Sequence, residues 1–160
     1  MNEHKGLYDE LKEAVAENGT CQITLAEFVQ PFAQRDEQVT VSGHGTSMLP
    51  TICDRDKLIM APLCGRIRIG DVLLYTEPNR HSVIHRVWRI HGEYLDMLGD
   101  HQLIVEKGVP MNAVVAQVQT IVHSDGRIEK AHKSIIWNRV QYSIRFVRML
   151  LYAIRNRLKR

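Results

Sequence analysis

The sequence predicts a mainly β protein, in which a largely antiparallel, curled sheet is flanked by an N-terminal and a C-terminal helix. Between residues 37 and 129, short segments alternate apolar and polar residues, as half-buried strands do. Turn residues separate these segments at short intervals, which indicates hairpins rather than long crossover connections. Apolar residues at helical spacing lie near the two ends of the chain.

The N-terminal extension, residues 1–36, combines a predicted helix with an ambiguous segment. Apolar residues recur every four positions over 6–18, and a glycine follows where a helix would stop. Over 20–35 two interpretations stay open. Thr24 and Glu27 fit the capping box that starts a helix, whereas the alternation at the beginning of this segment fits a strand.

The β domain is predicted over residues 37–129, and six strands are expected in it. Each is bounded by turns rich in Gly, Pro, Asn or Asp. The predicted strands are 38–42, 57–61, 71–75, 81–90, 93–98 and 114–122.

The composition is that of a soluble globular domain. The chain is 44% hydrophobic and 24% charged, with a net charge of +3. Its length of 160 residues is sufficient for one hydrophobic core. No run approaches ~18 apolar residues, and the N-terminus is too acidic for a signal peptide. The three cysteines lack close pairing or metal spacing, which favours a reducing compartment. We expect a cytoplasmic protein, peripheral to a membrane if its C-terminal helix binds one.

The segment 45–50, Gly-Thr-Ser-Met-Leu-Pro, predicts a tight turn that holds one hydroxyl at the end of a strand. Gly45 permits backbone angles that other residues resist, and Pro50 cannot continue a central strand. Ser47 in such a turn fits a nucleophile. It also fits a loop serine that bonds its own backbone.

Two later residues supply the partners that a serine nucleophile needs. His85 interrupts an apolar strand, and Asp100 lies in a glycine-aspartate turn. A serine hydroxyl is a weak nucleophile until a base takes its proton, and a third group must hold that base in the right tautomer. We therefore expect Ser47, His85 and Asp100 to act as nucleophile, base and orienting acid. The alternative for His85 is a core histidine bonded to backbone.

Four elements in this order resemble the superfamily that unites signal peptidases with LexA-like self-cleaving repressors. They are residues 46–50, 70–72, 85–87 and 99–100, and the resemblance spans about half of the chain. It implies a twisted, barrel-like β fold with the active site along an exposed edge. An extended peptide or protein substrate can be received there as an added strand.

The resemblance also implies the roles of individual residues. Ser47 matches the nucleophile, and His85 matches the base of the branch typified by the endoplasmic-reticulum signal peptidase, where other branches use lysine. Asp100 matches the family's acid. A second acid usually follows, and Glu106 is the nearest candidate, although its surroundings depart from the family pattern.

The oxyanion hole is the weakest part of the match. The N–H of Ser47 is the natural first donor. Many signal peptidases add a hydroxyl two residues earlier, where this chain has Gly45. Thr46 or a neighbouring N–H must then substitute, or activity is weak. Met48 is expected to pack under the turn and secondarily to line a substrate pocket.

The C-terminal segment, residues 130–160, is basic, and its helix is expected over 134–160. The segment contains no Asp or Glu. One apolar stripe runs along it at spacings of four and three: Ile136, Val140, Ile144, Val147, Leu151, Ile154 and Leu158. The stripe fits a helix packed on the β domain, and equally a helix lying in an anionic membrane surface. Nucleic acid is not expected, because the arginines flank apolar residues rather than forming one cationic face.

The sequence thus favours a serine endopeptidase of signal-peptidase type, a hydrolase that works through an acyl-enzyme. The alternative is a catalytically weak peptide-binding or regulatory module on the same fold. A LexA-like repressor is disfavoured, because residues 1–36 are too short and acidic for a DNA-binding headpiece. No cofactor is expected, and no metal, because the chain has neither a His-Glu-x-x-His motif nor a close cysteine pair.

Overall fold

The computed structural model describes residues 24–63, 65–79 and 81–157. The helix predicted over 6–18 lies outside these residues. Two α-helices, a short 3₁₀-helix at Met111–Ala113 and eight strands occur in the described part of the chain.

Helix α1 spans Leu25–Gln34 and begins with a complete capping box. The Thr24 hydroxyl accepts the N–H of Glu27, and the Glu27 carboxylate accepts the N–H of Thr24. Pro31 lies inside the helix, which continues for three residues beyond it. The described part of the ambiguous segment is therefore helical.

One antiparallel sheet contains all the strands of the described residues. They are β1 (Val39–Ser42), β2 (Lys57–Ala61), β3 (Val72–Thr76), β4 (Ser82–His91), β5 (Tyr94–Leu98), β6 (Glu106–Pro110), β7 (Val114–Val122) and β8 (Ile128–Lys130). The order across the sheet is β1-β2-β7-β3-β4-β5-β6. One edge of β7 is shared, because β3 pairs with its first half and β8 with its last three residues. The mainly β, antiparallel class is confirmed.

All six predicted strands are present, and their ends differ from the prediction by at most one residue. β6 and β8 were not predicted from the sequence. β6 lacks alternation, because Gly108, at a φ of 76°, and Pro110 take two of its five positions. β8 has three residues, too few to show a period.

The sheet does not close into the barrel that the resemblance implies. Within the described residues, the strands at its two ends, β1 and β6, pair with β2 and β5 only. Register shifts interrupt the pairing of β2 with β7, β3 with β7, β4 with β5, and β5 with β6. Such irregularities locally bend and twist the strands that contain them.

The core lies on both faces of β3, which is buried from Val72 to Tyr75. Successive side chains of a strand point to opposite faces. Val72 and Leu74 accordingly pack in one cluster with Val29 of α1, whereas Leu73 and Tyr75 pack in a second cluster. A further contact joins α1 to β4, since the N–H at the start of the helix donates to the Ser82 hydroxyl at 2.8 Å.

A buried ion pair connects the sheet to three other parts of the chain. Arg86 of β4 donates from Nε and Nη2 to the two carboxylate oxygens of Asp100, at 2.8 and 2.7 Å. Its Nη1 donates to the carbonyls of Gly70 and Ala131, at 2.8 and 2.7 Å. The guanidinium carbon also lies 5.3 Å from the centre of the Trp137 ring. Arg86 and Asp100 are 2% and 5% exposed.

Helix α2, Ile135–Arg157, contacts the β domain through polar and aromatic side chains. The Tyr142 ring packs 5.3 Å from that of Trp88. Arg145 donates to the carbonyl of Gly99 at 3.1 Å, in the turn before Asp100. The first half of α2 is therefore attached to the sheet.

The apolar stripe of α2 is not the attached face. Its described members are 42–72% exposed: Ile136, Val140, Ile144, Val147, Leu151 and Ile154. The interpretation in which α2 packs on the β domain is correct, but the apolar stripe does not form the contact. Neither helix in the described chain is long and apolar enough to cross a membrane.

We expect Asp100→Asn to destabilise the fold strongly. The substitution leaves the Arg86 charge buried without its partner, which typically costs about 3–5 kcal/mol. For a domain of this size, that lowers the thermal midpoint by roughly 6–20 °C, as circular dichroism would measure.

Asp125→Asn is the matched control, because Asp125 pairs with Arg127 at the same 2.7 Å but on the exposed surface. It should leave the midpoint close to that of the wild type. An Asp100→Asn protein that melts like the control would contradict the structural role of the pair.

Candidate active site

The loop after β1 carries Ser47 and is held by the turn at 99–101. Gly45 adopts a φ of 97°, the left-handed conformation expected for this turn. The carbonyl of Ser47 accepts the N–H of His101 at 2.8 Å. A Cβ added at Gly99 would lie 2.6 Å from the same carbonyl oxygen, so only glycine permits this close approach.

A cleft of about 560 Å³ lies beside this loop. Ser47 and His85 both line it. Six of the other lining side chains are apolar and five are polar, among them the carboxylate of Glu77, which follows β3. The apolar members are Leu25, Met48, Ile52, Leu58, Val83 and Ile84. The structure thus brings the predicted nucleophile and base into one cavity.

The imidazole of His85 is held by a hydroxyl and a carboxylate. Its Nδ1 lies 3.1 Å from the Tyr75 hydroxyl oxygen, which in turn donates to Glu106. The same Nδ1 lies 3.7 Å from the Glu106 carboxylate. The pairing of β3 with β4 explains the contact: His85 is opposite Leu73, so Tyr75 is its diagonal neighbour on the same face.

These contacts assign the tautomer of His85. Burial and the hydrogen bond to Glu106 raise the pKa of Tyr75, so its hydroxyl keeps its proton. That proton is donated to Glu106, and the Tyr75 oxygen is left to accept a hydrogen bond from Nδ1–H of His85. Nε2 is then the nitrogen with a free lone pair, as a general base requires.

Burial also sets the charge of His85. The residue is 6% exposed, and this desolvation lowers the pKa of its imidazole from the ordinary value of 6.5, although Glu77 and, more weakly, Asp100 act to raise it. His85 is therefore neutral near pH 7 and able to accept a proton.

The contact predicted between Asp100 and His85 is not found in the described structure. Both carboxylate oxygens of Asp100 accept from Arg86, and within the described residues no hydrogen bond joins Asp100 to His85. The reason lies in β4: His85 and Arg86 are consecutive, so they point to opposite faces of the strand. Asp100 lies with Arg86, and Glu106, the second candidate acid, lies with His85.

The remaining predicted residues have different placements. Met48 is buried in the core and also lines the cleft, as expected. Thr46 is exposed and is not among the cleft residues, so its expected oxyanion role has no support. The N–H of Ser47 donates no hydrogen bond to any other described residue and remains a candidate oxyanion donor.

The predicted nucleophile and the predicted base share the cleft but are not hydrogen-bonded to each other. No hydrogen bond joins the Ser47 hydroxyl to His85 within the described part of the chain. Catalytic hydrogen bonds are often long before a substrate binds and tighten in the complex. The site therefore contains a serine, a histidine and the Glu106 carboxylate, but it lacks the hydrogen bond between Ser47 and His85 that would complete a catalytic triad.

Sequence reasoning missed Tyr75 and Glu77. Tyr75 reads as an ordinary apolar position of a predicted strand, and Glu77 as part of a turn. Neither belongs to a motif with a fixed spacing to His85. The only available signal was the hairpin itself, because pairing 71–75 with 81–90 places the end of one strand near the histidine of the other.

The described residues contain no group of three or more His, Cys, Asp or Glu side chains that could hold a metal ion. The thiol of Cys53 is free. No protein-family model, curated protein or solved structure matches this chain. The resemblance to signal peptidases therefore stays a prediction from the order of four sequence elements in this chain.

We expect Tyr75→Phe to release the imidazole of His85. Without the hydroxyl, Nδ1–H loses its acceptor and the two neutral tautomers become mixed. Nitrogen NMR of the His85 ring should show the Nδ1–H form in the wild type and a mixture in the variant. Any hydrolytic turnover should fall by roughly 10- to 10³-fold.

Tyr94→Phe is the control, because Tyr94 is an exposed tyrosine of β5. It should change neither the NMR signal nor the turnover. If Tyr75→Phe also leaves the His85 tautomer unchanged, the link from Glu106 through Tyr75 does not position the base.

Proposed function

We propose that this protein is a serine endopeptidase of signal-peptidase type, with Ser47 as nucleophile and His85 as general base. One observation carries the proposal: a neutral histidine, held through Nδ1 by Tyr75 and Glu106, shares a cleft with a serine in a glycine turn. A core histidine would not need to line a solvent cleft beside a serine. The motif order gives independent support.

The reaction would proceed through an acyl-enzyme. Ser47 Oγ bonds to the carbonyl carbon of the peptide as its proton passes to Nε2 of His85. The Tyr75 oxygen and the Glu106 carboxylate stabilise the imidazolium that forms. His85 then gives the proton to the leaving amine, and the C–N bond breaks. Water, activated by the same histidine, hydrolyses the ester and restores Ser47.

The substrate we propose is an extended peptide. Among the described residues β1 ends the sheet, and one of its edges pairs with no other strand there, as the addition of a substrate strand requires. Ser42 and Gly43, at the end of β1, belong to the cleft wall, which links that edge to Ser47. The apolar lining favours small or apolar side chains beside the scissile bond. In the signal-peptidase and LexA-like fold the active site also lies along an exposed sheet edge, and we propose that this protein has a related fold.

A peptide-binding module without useful turnover is the second candidate. It is favoured by the absent hydrogen bond between Ser47 and His85 in the described structure, and by Gly45, which offers no hydroxyl to an oxyanion. Such a module would use the same cleft and edge strand. For either function we propose a cytoplasmic location, which the free thiol of Cys53 supports.

The experiment that separates the two candidates is labelling with a fluorophosphonate, followed by intact-mass measurement. An activated serine displaces fluoride and keeps the phosphonyl group, so the wild type should gain one adduct at Ser47. Ser47→Ala should gain none, and His85→Ala should react roughly 10²-fold or more slowly.

Ser124→Ala, in an exposed turn, is the control and should label like the wild type. A wild-type protein that stays unlabelled but still binds extended peptides would favour the binding module. Full labelling of His85→Ala would show that another residue is the base.

The rate of labelling should depend on the charge of His85. Below its folded-state pKa the ring is protonated and cannot accept the serine proton, so the rate falls on acidification. Because burial lowers this pKa, the midpoint of the acid limb should lie below 6.5.

Glu77→Gln sharpens this test. Glu77 acts to raise the pKa of His85, so its neutralisation should move the acid limb to still lower pH. An acid limb above neutrality, or no movement in Glu77→Gln, would contradict the assignment of His85 as the titrating base.

A further inference from the structure

The second half of α2 extends from the domain without burying its apolar side chains. The described side chains from 146 to 151, and those of Ile154 and Arg155, are all exposed. Each residue turns a helix by about 100°, so the stripe through Val147 and Leu151 lies on the side facing away from Tyr142 and Arg145, which contact the domain. A face of this size, apolar and exposed, indicates a partner.

Positive charge borders this face. Arg148 and Arg155 lie along one side of the stripe and Arg139 along the other, and all three are exposed. From residue 130 to the end of the chain there is no Asp or Glu to neutralise them. An apolar face between cationic borders is the arrangement of helices that lie in the plane of an anionic membrane surface.

The positive charge of α2 favours an anionic bilayer surface over a second copy of the chain as the partner of the stripe. A second copy of the chain would bring the same arginines together around a shared apolar seam, without an acid on either helix. An anionic bilayer surface offers opposite charge to the borders and an apolar layer to the stripe. It also needs no helix able to cross the membrane, and α2 is not apolar enough to do so.

We propose that α2 binds the surface of an anionic phospholipid bilayer, with the stripe from Ile144 to Ile154 in the interface and Arg148 and Arg155 at the headgroups. Arg145 bonds the carbonyl of Gly99, next to the turn that holds the Ser47 loop. The bound helix would therefore hold the cleft at a defined orientation above the bilayer. The binding itself does not depend on peptidase activity.

The test is co-sedimentation of the full chain with phospholipid vesicles. Vesicles of phosphatidylcholine with roughly one third phosphatidylglycerol should bind the protein, and pure phosphatidylcholine vesicles should bind it much more weakly. A Val147→Asp/Leu151→Asp variant should bind at least ~10-fold more weakly at any salt concentration. An Arg148→Gln/Arg155→Gln variant should bind about 30-fold more weakly at low salt, near fivefold for each charge.

Two controls keep the outcome specific. Ile128→Asp alters an exposed apolar residue of β8 outside the helix and should bind like the wild type. Ser47→Ala should also bind like the wild type, so loss of catalysis and loss of binding are separate results. High salt should weaken binding only partly, because the apolar contribution is not screened.

The proposal is overturned if the full chain ignores anionic vesicles or binds neutral ones equally well. It is also overturned if light scattering shows a stable dimer that Val147→Asp/Leu151→Asp converts to monomers, because a second copy then covers the stripe. Unfolding of that variant would show that the stripe belongs to the core. Truncation before α2 is unsuitable, because it would remove Trp137 from its contact with Arg86.

Discussion

The ion pair between Arg86 and Asp100 is the interaction on which the rest of this structure depends. Burying two charges is costly unless nearly every hydrogen-bonding group is satisfied. Here both carboxylate oxygens accept from the guanidinium, and its remaining Nη1 binds the carbonyls of Gly70 and Ala131. Only arginine can bond four acceptors in one plane, so lysine could not replace it. The pair joins β4, two turns and the segment leading to α2.

This constraint explains why the site uses two acids for two tasks. Consecutive residues of β4 face opposite sides, so the carboxylate that neutralises Arg86 cannot also hold the ring of His85. Glu106 takes the second task through the buried hydroxyl of Tyr75. The consequence is a separation of roles, because Asp100 pairs with Arg86 and stabilises the fold, while Glu106 sets the tautomer of His85 through Tyr75.

The same turn connects the site to α2. Gly99 contacts the backbone of Ser47 on one side, and its carbonyl accepts from Arg145 on the other. The polar and aromatic face of α2 is used to attach the helix to the domain, which leaves the apolar stripe exposed. An amphipathic helix normally buries its apolar face against the core. In α2 this arrangement is reversed, because its polar and aromatic side chains contact the domain and its apolar stripe is exposed.

Six of the eight strands and the candidate residues Ser47 and His85 could be predicted, because the alternation of apolar residues and the turn chemistry are local properties of the sequence. The six predicted strands have a clear alternation. β6 lacks it because it contains a glycine and a proline, and β8 is too short, with three residues, to show it. Ser47 and His85 could be named from their local surroundings. Only the tertiary structure decided that Asp100 binds Arg86, that Tyr75 and Glu106 hold His85, and that the stripe of α2 faces outward. These contacts depend on which residues are neighbours across paired strands and on which face of a helix contacts the sheet. Both depend on packing and charge interactions between residues that are distant in the sequence.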